Sequence, residues 1–492
     1  MSRCVLRWRE ALLAVCLALT GPWAVAGGDH GVSPGPLTAL GKLDSVPALL
    51  AARQSPPAVA VPVASWVTPE GLRVFWSGNQ QLPMLDARLI YDAGAARDGD
   101  LPGLASAVSG LMGNGTRTRS TQQVAEGFER LGADFSASSY RDMALLELRV
   151  LSDPARRDPA LDLFSEVAAT PAFDNAEWVR QQSLLRIGQR QRQQSPASRA
   201  ALAFFKRLYG DHPYATPLSG WSDSVARITS DDLRAFHARY YTVRNAVLVL
   251  VGDLSREDAQ RISAQISQRL PAGDAAPPLP EVKPLPRAVR LHEEMPVAQT
   301  HVFIGEPGIA HGDPDTFPLV VGNELLGGSG FGTLLMRELR EQRGLTYGVS
   351  SQFVRMRVQG PFQITFATRA DQAEMALRLT RDLLRRFLAQ GAPAEDVQSA
   401  VDTLVQAFPL SLASNEQVAG YLGMMGFYGF PTDYLDHYVE RLRAVTPEQV
   451  RDAFRRHVHP DRLLVVTVGR KNAPAPAATA AEQAADAAGA GP

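Results

Sequence analysis

Apolar and polar residues alternate along this chain in two ways, one typical of strands and the other typical of helices. Period-two alternation and short aliphatic runs predict strands at 85–91, 300–305 and 361–368. Helical periodicity predicts helices at 101–113, 158–169, 175–210, 317–343 and 371–388. The segment 133–150 is typical of two strands joined by a tight turn. Because the strands are grouped with long helices and do not alternate strictly with them, the pattern favours an α+β fold over a doubly wound sheet.

The chain also repeats itself, since the segments 228–253 and 445–470 align without a gap. Each copy has a threonine cap, an amphipathic helix, a short turn and an aliphatic strand that ends in glycine. Chance similarity is the alternative explanation, because helix–strand units are common. We interpret the repeat as two homologous domains, 62–270 and 289–471, each a mainly antiparallel sheet layered with long helices.

Proline and small residues mark the boundaries of these domains. The segment 271–288 is too rich in proline to hold a helix or a central strand, so we interpret it as a linker. An arm at 27–61, rich in Gly, Pro, Ala and Ser, precedes the first domain. An Ala- and Pro-rich tail at 472–492 follows the second, and its composition predicts disorder. Two domains also suit the length, since a single core stops growing at roughly 250 to 300 residues.

The first 26 residues are typical of a secretory signal peptide. Three arginines precede the apolar run 11–19, and a small-residue motif ending at Ala26 follows it, so we expect cleavage after Ala26. A membrane anchor is the alternative, but a span needs roughly 20 apolar residues. Both cysteines, Cys4 and Cys16, lie in this segment, so the mature chain would have no thiol, which suits an oxidising compartment. The sequence therefore predicts a periplasmic protein.

Net charge argues against two classes of partner. The whole chain has a formal net charge of -1, and loss of the signal peptide, with three arginines and one glutamate, would leave -3. Such a balance gives no electrostatic footprint for nucleic acid or an anionic membrane. No membrane span is predicted after signal cleavage.

Five motifs keep a fixed order along the chain, at 94–105, 113–116, 212–217, 241–252 and 327–347. Each motif alone is weak, but their order and spacing together are specific. In these motifs the chain resembles the pitrilysin/insulinase metallopeptidases, the inverted-zincin family that includes the mitochondrial processing peptidase. The resemblance covers about residues 62–471 and implies that the two domains form half of a clamshell.

The resemblance places zinc chemistry at positions where this sequence lacks the required side chains. Active members carry His-x-x-Glu-His on a helix, in which two imidazoles bind zinc and the glutamate activates a water. The matching positions here are Ser106, Ser109 and Gly110, and Arg186 best matches the third ligand, a glutamate. We therefore expect no metal or cofactor in this chain. An autonomous peptidase with unorthodox ligands is the alternative, and it would hold stoichiometric zinc.

The second half keeps a pair of residues to which the resemblance gives a role. Family enzymes use an arginine and a tyrosine seven residues later to stabilise the substrate carbonyl as it becomes an oxyanion, and Arg340 and Tyr347 keep this spacing. The local pattern places Arg340 near a helix end and Tyr347 on the strand after a turn at Gly344. A permanent cation and a directed phenol donor suit developing negative charge. Without the resemblance, a helix-capping arginine and a core tyrosine would be the simpler interpretation.

Together these features predict the non-zinc-binding subunit of a heterodimeric periplasmic metallopeptidase. Such a subunit would be inactive alone and would lend Arg340 and Tyr347 to a homologous, zinc-bearing partner that cleaves unfolded peptides. The rival hypothesis is a catalytically inert module that binds peptides or scaffolds an assembly of the cell envelope.

Overall fold

The structure is a computed structural model that describes residues 61–330 and 332–471. The predicted signal peptide, nearly all of the arm and the tail 472–492 lie outside these residues. Contacts divide the chain into Met1–Pro57 and Ala58–Pro492, and all the features below belong to the second unit. In the described part of the chain, no helix is long and apolar enough to cross a membrane.

The first half builds a six-stranded sheet with helices around it. In chain order its elements are β1 (Ala64–Val67), β2 (Arg73–Gly78), β3 (Met84–Tyr91), α1 (Leu104–Leu111), α2 (Thr121–Leu131), β4 (Asp134–Ser139), β5 (Ala144–Leu151), α3 (Pro154–Ala169), α4 (Asn175–Gln194), α5 (Pro196–Tyr209), α6 (Ser222–Arg227), α7 (Ser230–Tyr240), β6 (Ala246–Gly252) and α8 (Arg256–Arg269). The strand order is β1-β2-β6-β3-β5-β4. Only β2 and β6 pair in parallel.

The second half builds a five-stranded sheet in the same manner. Its elements are β7 (Val289–Glu294), β8 (Gln299–Pro307), α9 (Thr316–Gly327), a π-helical turn (Met336–Glu341), β9 (Thr346–Phe353), β10 (Pro361–Arg369), α10 (Ala373–Gln390), α11 (Ala394–Ala407), α12 (Asn415–Tyr428), α13 (Tyr438–Arg443), α14 (Pro447–His457) and β11 (Leu464–Gly469). The strand order is β7-β11-β8-β10-β9, and only β7 and β11 pair in parallel.

The two sheets share one topology. Strands β2, β6, β3, β5 and β4 occupy the places that β7, β11, β8, β10 and β9 occupy in the second sheet. The repeated segments of the sequence form α7 with β6 and α14 with β11. The predicted α+β class with mainly antiparallel sheets is confirmed. The segment 271–288 forms neither helix nor strand.

Local sequence signals, namely a threonine cap and a terminal glycine, explain how each repeated unit folds. Thr229 and Thr446 begin α7 and α14 with capping boxes, in which the threonine hydroxyl accepts a backbone N–H three residues later. Strand β6, which follows α7, ends at Gly252, whose φ is +135°. A Cβ there would lie 2.1 Å from the carbonyl oxygen of Met84, so only glycine lets the two strands approach.

One helix of each half covers the sheet of the other half. Val247 and Val249 of β6 pack against α12, where Val418 and Leu422 lie in the same cluster. Reciprocally, α5 covers the second sheet, with the ring centroids of Phe204 and Phe303 5.6 Å apart. Both faces of the central strands are therefore covered, which explains why every residue of β6 and β11 is buried and why both strands are aliphatic apart from Thr467 and their final glycines.

A buried polar cluster also joins the halves. Asp142, in the turn between β4 and β5, accepts hydrogen bonds from the Tyr214 hydroxyl, the Tyr428 hydroxyl (3.1 Å) and the Arg357 backbone N–H (2.8 Å). Burial raises the pKa of both phenols, so they stay protonated and can donate. The Arg357 side chain forms an ion pair with Asp92 (3.2 Å). The cluster fixes the connection between β9 and β10 against the first half.

Candidate functional site

Arg340 lies in a short helical segment of unusual geometry. The backbone N–H of Gln342 donates to the Arg337 carbonyl five residues earlier, at 3.0 Å, which makes this turn π-helical. The segment ends at Gly344, whose φ is +59° and whose N–H donates to the Arg340 carbonyl at 2.9 Å. Single π-helical turns occur frequently at functional sites. Both ends of the turn that carries Arg340 are thus held by backbone hydrogen bonds.

Tyr347 lies at a β-bulge on β9, which is an edge strand of the second sheet. Val349 pairs with Phe366 and Thr346 pairs with Thr368, so Tyr347 and Gly348 together face the single residue between these partners. A bulge turns a side chain away from its regular direction and is common beside active sites. The Tyr347 side chain is 86 % exposed, which is unusual for a residue of its size.

The structure brings the two predicted residues together. The guanidinium carbon of Arg340 lies 4.8 Å from the centre of the Tyr347 ring, within the range of a cation–π interaction. Both side chains line one open pocket of about 590 Å³. Arg340 is half-buried, so its charge and an exposed phenol face the same space. This arrangement can offer two hydrogen-bond donors to an oxygen that carries negative charge.

Other residues of this pocket were not predicted from the sequence. His301 and Phe303 of β8 line it, as do Thr365 of β10 and Ala197 near the start of α5. Burial lowers the pKa of His301, so its imidazole is neutral at pH 7. The alternation of His301 and Phe303 in a predicted strand shows that they share a face, but only the strand register places that face beside Tyr347.

The three positions that match the zinc motif lie on α1. Ser109 is buried, and its hydroxyl lies 3.3 Å from both the Ser138 carbonyl oxygen and the Tyr241 hydroxyl. Burial raises the pKa of Tyr241, so this phenol is protonated. Ser106 is half-buried and Gly110 is exposed. Neither hydroxyls nor a glycine can replace the imidazoles and carboxylate of a zinc site.

Helix α4 approaches α1 through Gln181, whereas spacing along the sequence indicates Arg186. A Cβ on Gly110 would lie 2.3 Å from Nε2 of Gln181, whereas Arg186 lies on the exposed face of α4. A helix turns by about 140° over five residues, which accounts for the separation of the two side chains around its axis. Gly188, seven residues beyond Gln181, returns to within about 20° of the same face. None of these side chains is a zinc ligand, so the residues present do not fit the metal.

Within residues 61–330 and 332–471, the one cluster of three potential metal-binding side chains lies elsewhere, at Asp313, Asp315 and His457. Arg456 donates to both carboxylate oxygens of Asp315, at 2.7 and 2.8 Å, and His457 lies 2.9 Å from one of them. The carboxylate that a metal would use is therefore already paired with a cation. We interpret this cluster as an ion-pair network.

Restoring the motif on α1 alone is expected not to restore zinc binding. The variant S106H/S109E/G110H supplies two imidazoles, but a zinc site needs a third protein ligand. Adding Gln181→Glu or Gly188→Glu should increase the zinc retained after dialysis, measured by atomic absorption. Adding Arg186→Glu is the matched control and should not increase it. Equal zinc in all of these variants would contradict the placement of α4 against α1.

The fold and the site define a class of protein: a chain with two sheets of one topology, an arginine–tyrosine pair in an open pocket, and no zinc ligand at Ser106, Ser109 or Gly110. The chain belongs to the insulinase family of peptidases, M16. Residues 74–220 match the family model described as insulinase (peptidase family M16), and residues 227–404 match the model described as the peptidase M16 inactive domain.

Similar proteins agree with this assignment. A crystal structure of a peptidase M16 inactive domain from Pseudomonas fluorescens is 40 % identical, with a TM-score of 0.82, and covers 85 % of this chain and 100 % of its own. The uncharacterized zinc protease YmxG of Bacillus subtilis is 23 % identical over 76 % of this chain and 90 % of its own length. The uncharacterized zinc protease Rv2782c of Mycobacterium tuberculosis is 26 % identical, over 82 % and 93 %.

Proposed function

We propose that this chain is the non-zinc-binding subunit of a heterodimeric periplasmic metallopeptidase. One observation carries the proposal: Arg340 and Tyr347 share an open pocket, while the zinc-motif positions hold Ser106, Ser109 and Gly110. A site with donors for an oxyanion but no ligands for a metal needs a second chain to complete the chemistry. A homologous subunit with an intact His-x-x-Glu-His would supply it.

In this proposal the two side chains act on the substrate carbonyl. The partner's His-x-x-Glu-His would hold zinc, which when bound would supply an activated water as nucleophile. As the carbonyl carbon becomes tetrahedral, its oxygen gains negative charge, and the Arg340 guanidinium and Tyr347 hydroxyl donate hydrogen bonds to it. These donors favour the charged intermediate over the neutral carbonyl, which is the condition for a higher rate. His301 is neutral at pH 7 and adds no competing charge to the pocket.

An extended peptide is the substrate that the sheets suit best. Strand β4 lies at the edge of the first sheet and pairs only with β5 among the described strands. Its last four residues, Ser-Ala-Ser-Ser, have short side chains that would not obstruct pairing along the backbone edge. An extended peptide can pair with such an edge by main-chain hydrogen bonds along its whole length, whereas most of the backbone of a folded protein is already paired within its own helices and sheets. We therefore propose unfolded peptides as the substrate class.

Reconstitution tests this proposal. The chain alone should not cleave a quenched fluorescent peptide, the zinc-bearing relative from the same organism alone should cleave it slowly, and an equimolar mixture should cleave it at least about tenfold faster than that relative. Size-exclusion chromatography of the mixture should show a stable complex. A relative whose activity is the same with and without this chain would refute the catalytic role and favour the inert peptide-binding or scaffolding module.

A further inference from the structure

A second pocket, of about 410 Å³, lies in the second half and shares no lining residue with the Arg340–Tyr347 pocket. It forms where several segments meet: the connection before α9 with the first turn of α9, the connection between β9 and β10, the residues after α12, and the stretch from α13 to the start of α14. Its volume is within the range of pockets that hold small organic molecules. Neither the family match nor the proposed peptidase role assigns it a ligand.

Two arginines from different segments converge on this pocket. Arg355 comes from the connection between β9 and β10, and Arg441 comes from α13. Across residues 61–330 and 332–471, neither side chain forms an ion pair with a carboxylate. Arg441 instead lies over the rings of Phe317 and Tyr434, with its guanidinium carbon 5.8 and 5.5 Å from their centres. Two cations without anionic partners give the pocket a positive charge.

The acidic residue of the pocket does not cancel this charge. Asp313 lines the pocket, but its Oδ1 accepts the backbone N–H of Asp315 at 2.8 Å. The same oxygen lies 3.9 Å from Nε2 of His457, a residue that does not line the pocket. Asp313 is thus held in the neighbouring ion-pair network. An anion in the pocket would meet two guanidinium groups and one carboxylate that is already engaged.

Aromatic rings form much of the remaining wall, together with small and aliphatic residues such as Pro314, Pro318 and Val445. His311 stacks on Tyr428 with ring centres 3.7 Å apart, and Phe430 lies 4.6 Å from Tyr434. Burial lowers the pKa of His311 to about 3, so this ring is neutral and acts as an apolar surface. Flat apolar walls favour a ligand with a ring of its own, because an inorganic anion would leave them unfilled.

We propose that this pocket binds an aromatic carboxylate of about the size of one amino acid residue. The carboxylate would pair with Arg355 and Arg441, and the ring would stack between Phe317, Phe430 and Tyr434. Guanidinium groups pair with carboxylates through two parallel hydrogen bonds, which fixes the orientation of the ring. Such a ligand has two sources, a free small acid or the C-terminal residue of a peptide. The proposal does not depend on the peptidase role, because it uses none of the residues of that site.

Calorimetric titration of the full mature chain tests the proposal with N-acetyl-phenylalanine as the probe. Saturable binding is expected, and N-acetyl-phenylalaninamide, which lacks the charge, should bind at least about tenfold more weakly. Arg355→Gln and Arg441→Gln should each weaken binding about tenfold or more. Arg190→Gln, an exposed arginine of α4, is the matched control and should bind as the unaltered chain does. Thermal melting checks that each variant is folded.

Further probes distinguish a free acid from a peptide C-terminus as the source of the ligand, and two of their outcomes would contradict the proposal. A hexapeptide ending in phenylalanine that binds more tightly than N-acetyl-phenylalanine indicates a peptide C-terminus, and the reverse order indicates a free acid. Inorganic phosphate should bind weakly. Equal binding of phosphate and the aromatic acid would overturn the role of the rings. Equal binding of the acid and its amide, or unchanged binding by both arginine variants, would overturn the proposal as a whole.

Discussion

Arg340→Ala is expected to lower kcat of the reconstituted pair by about 10² to 10³, the loss usual for one oxyanion donor. Tyr347→Phe removes a single hydroxyl and should also lower kcat. KM should change little, because the hydrogen bonds strengthen only as the carbonyl oxygen becomes charged. The measurement is steady-state cleavage of a fluorescent peptide with the zinc-bearing subunit held constant.

Controls separate catalysis from assembly. Arg337→Ala changes an exposed arginine of the same π-helical turn that lines a different cavity, so it should leave kcat unchanged. The Arg340 and Tyr347 variants should still form the complex on size-exclusion chromatography. If either variant raises KM and leaves kcat intact, its side chain binds substrate and takes no part in the chemical step. If neither parameter changes, the pair has no function in hydrolysis.

Asp142→Ala is expected to destabilise the chain by about 3 to 5 kcal/mol. The change leaves two buried phenol hydroxyls and one backbone N–H without an acceptor, and each unpaired buried donor costs about 1 to 3 kcal/mol. Asp142→Asn keeps the size and one acceptor oxygen, so its loss should be smaller. Urea unfolding followed by circular dichroism measures the effect, with Asp134→Ala, on the exposed part of β4, as the control.

The position of the unfolding transition is the informative quantity, since a chain with two sheets need not unfold in two states. Asp142 lies in the first half and its partners Tyr428 and Arg357 lie in the second, so both halves should lose stability together. An unchanged midpoint in Asp142→Ala would show that water or another group replaces the carboxylate. A shift confined to one of two separate transitions would show that the cluster does not couple the halves.

Much of the fold could be predicted because its signals are local. Caps, apolar periodicity and the repeat gave several of the helices and the class of the two sheets. The single helix predicted at 175–210 was wrong, because Ser195 caps a new helix that begins at Pro196 and so divides it into α4 and α5. The helix predicted at 317–343 is likewise two segments, α9 and the π-helical turn.

Helix α12 could not be placed, because Asn415–Tyr428 is apolar on most sides and its pattern indicates burial without indicating the partner. The partner depends on glycines that permit contact with the first sheet: a Cβ on Gly423 would lie 2.6 Å from Ile90, and one on Gly426 would lie 2.5 Å from Val247.

The site could be predicted only in part, because some of its features depend on contacts between elements that are distant in the sequence. The seven-residue spacing between Arg340 and Tyr347 is a property of the sequence itself, so it can be found by counting residues. The bulge at Tyr347 depends on which residues of β9 and β10 pair, and His301 enters the pocket through that same register. Counting also indicated Arg186, whereas contact across two helices depends on rotation about the axis of α4. That rotation turns Gln181, and not Arg186, towards Gly110.

The exchange of helices between the sheets resembles a swapped dimer whose two protomers have been joined end to end. In a swapped dimer each protomer lends an element to its twin, and the pair exists only above the concentration at which the copies meet. Here the proline-rich stretch 271–288 holds the second copy beside the first, so the encounter is intramolecular at every protein concentration. Fusion also lets the two copies differ, and in this chain the first has Ser106, Ser109 and Gly110 at the positions that match the zinc motif while the second has Arg340 and Tyr347.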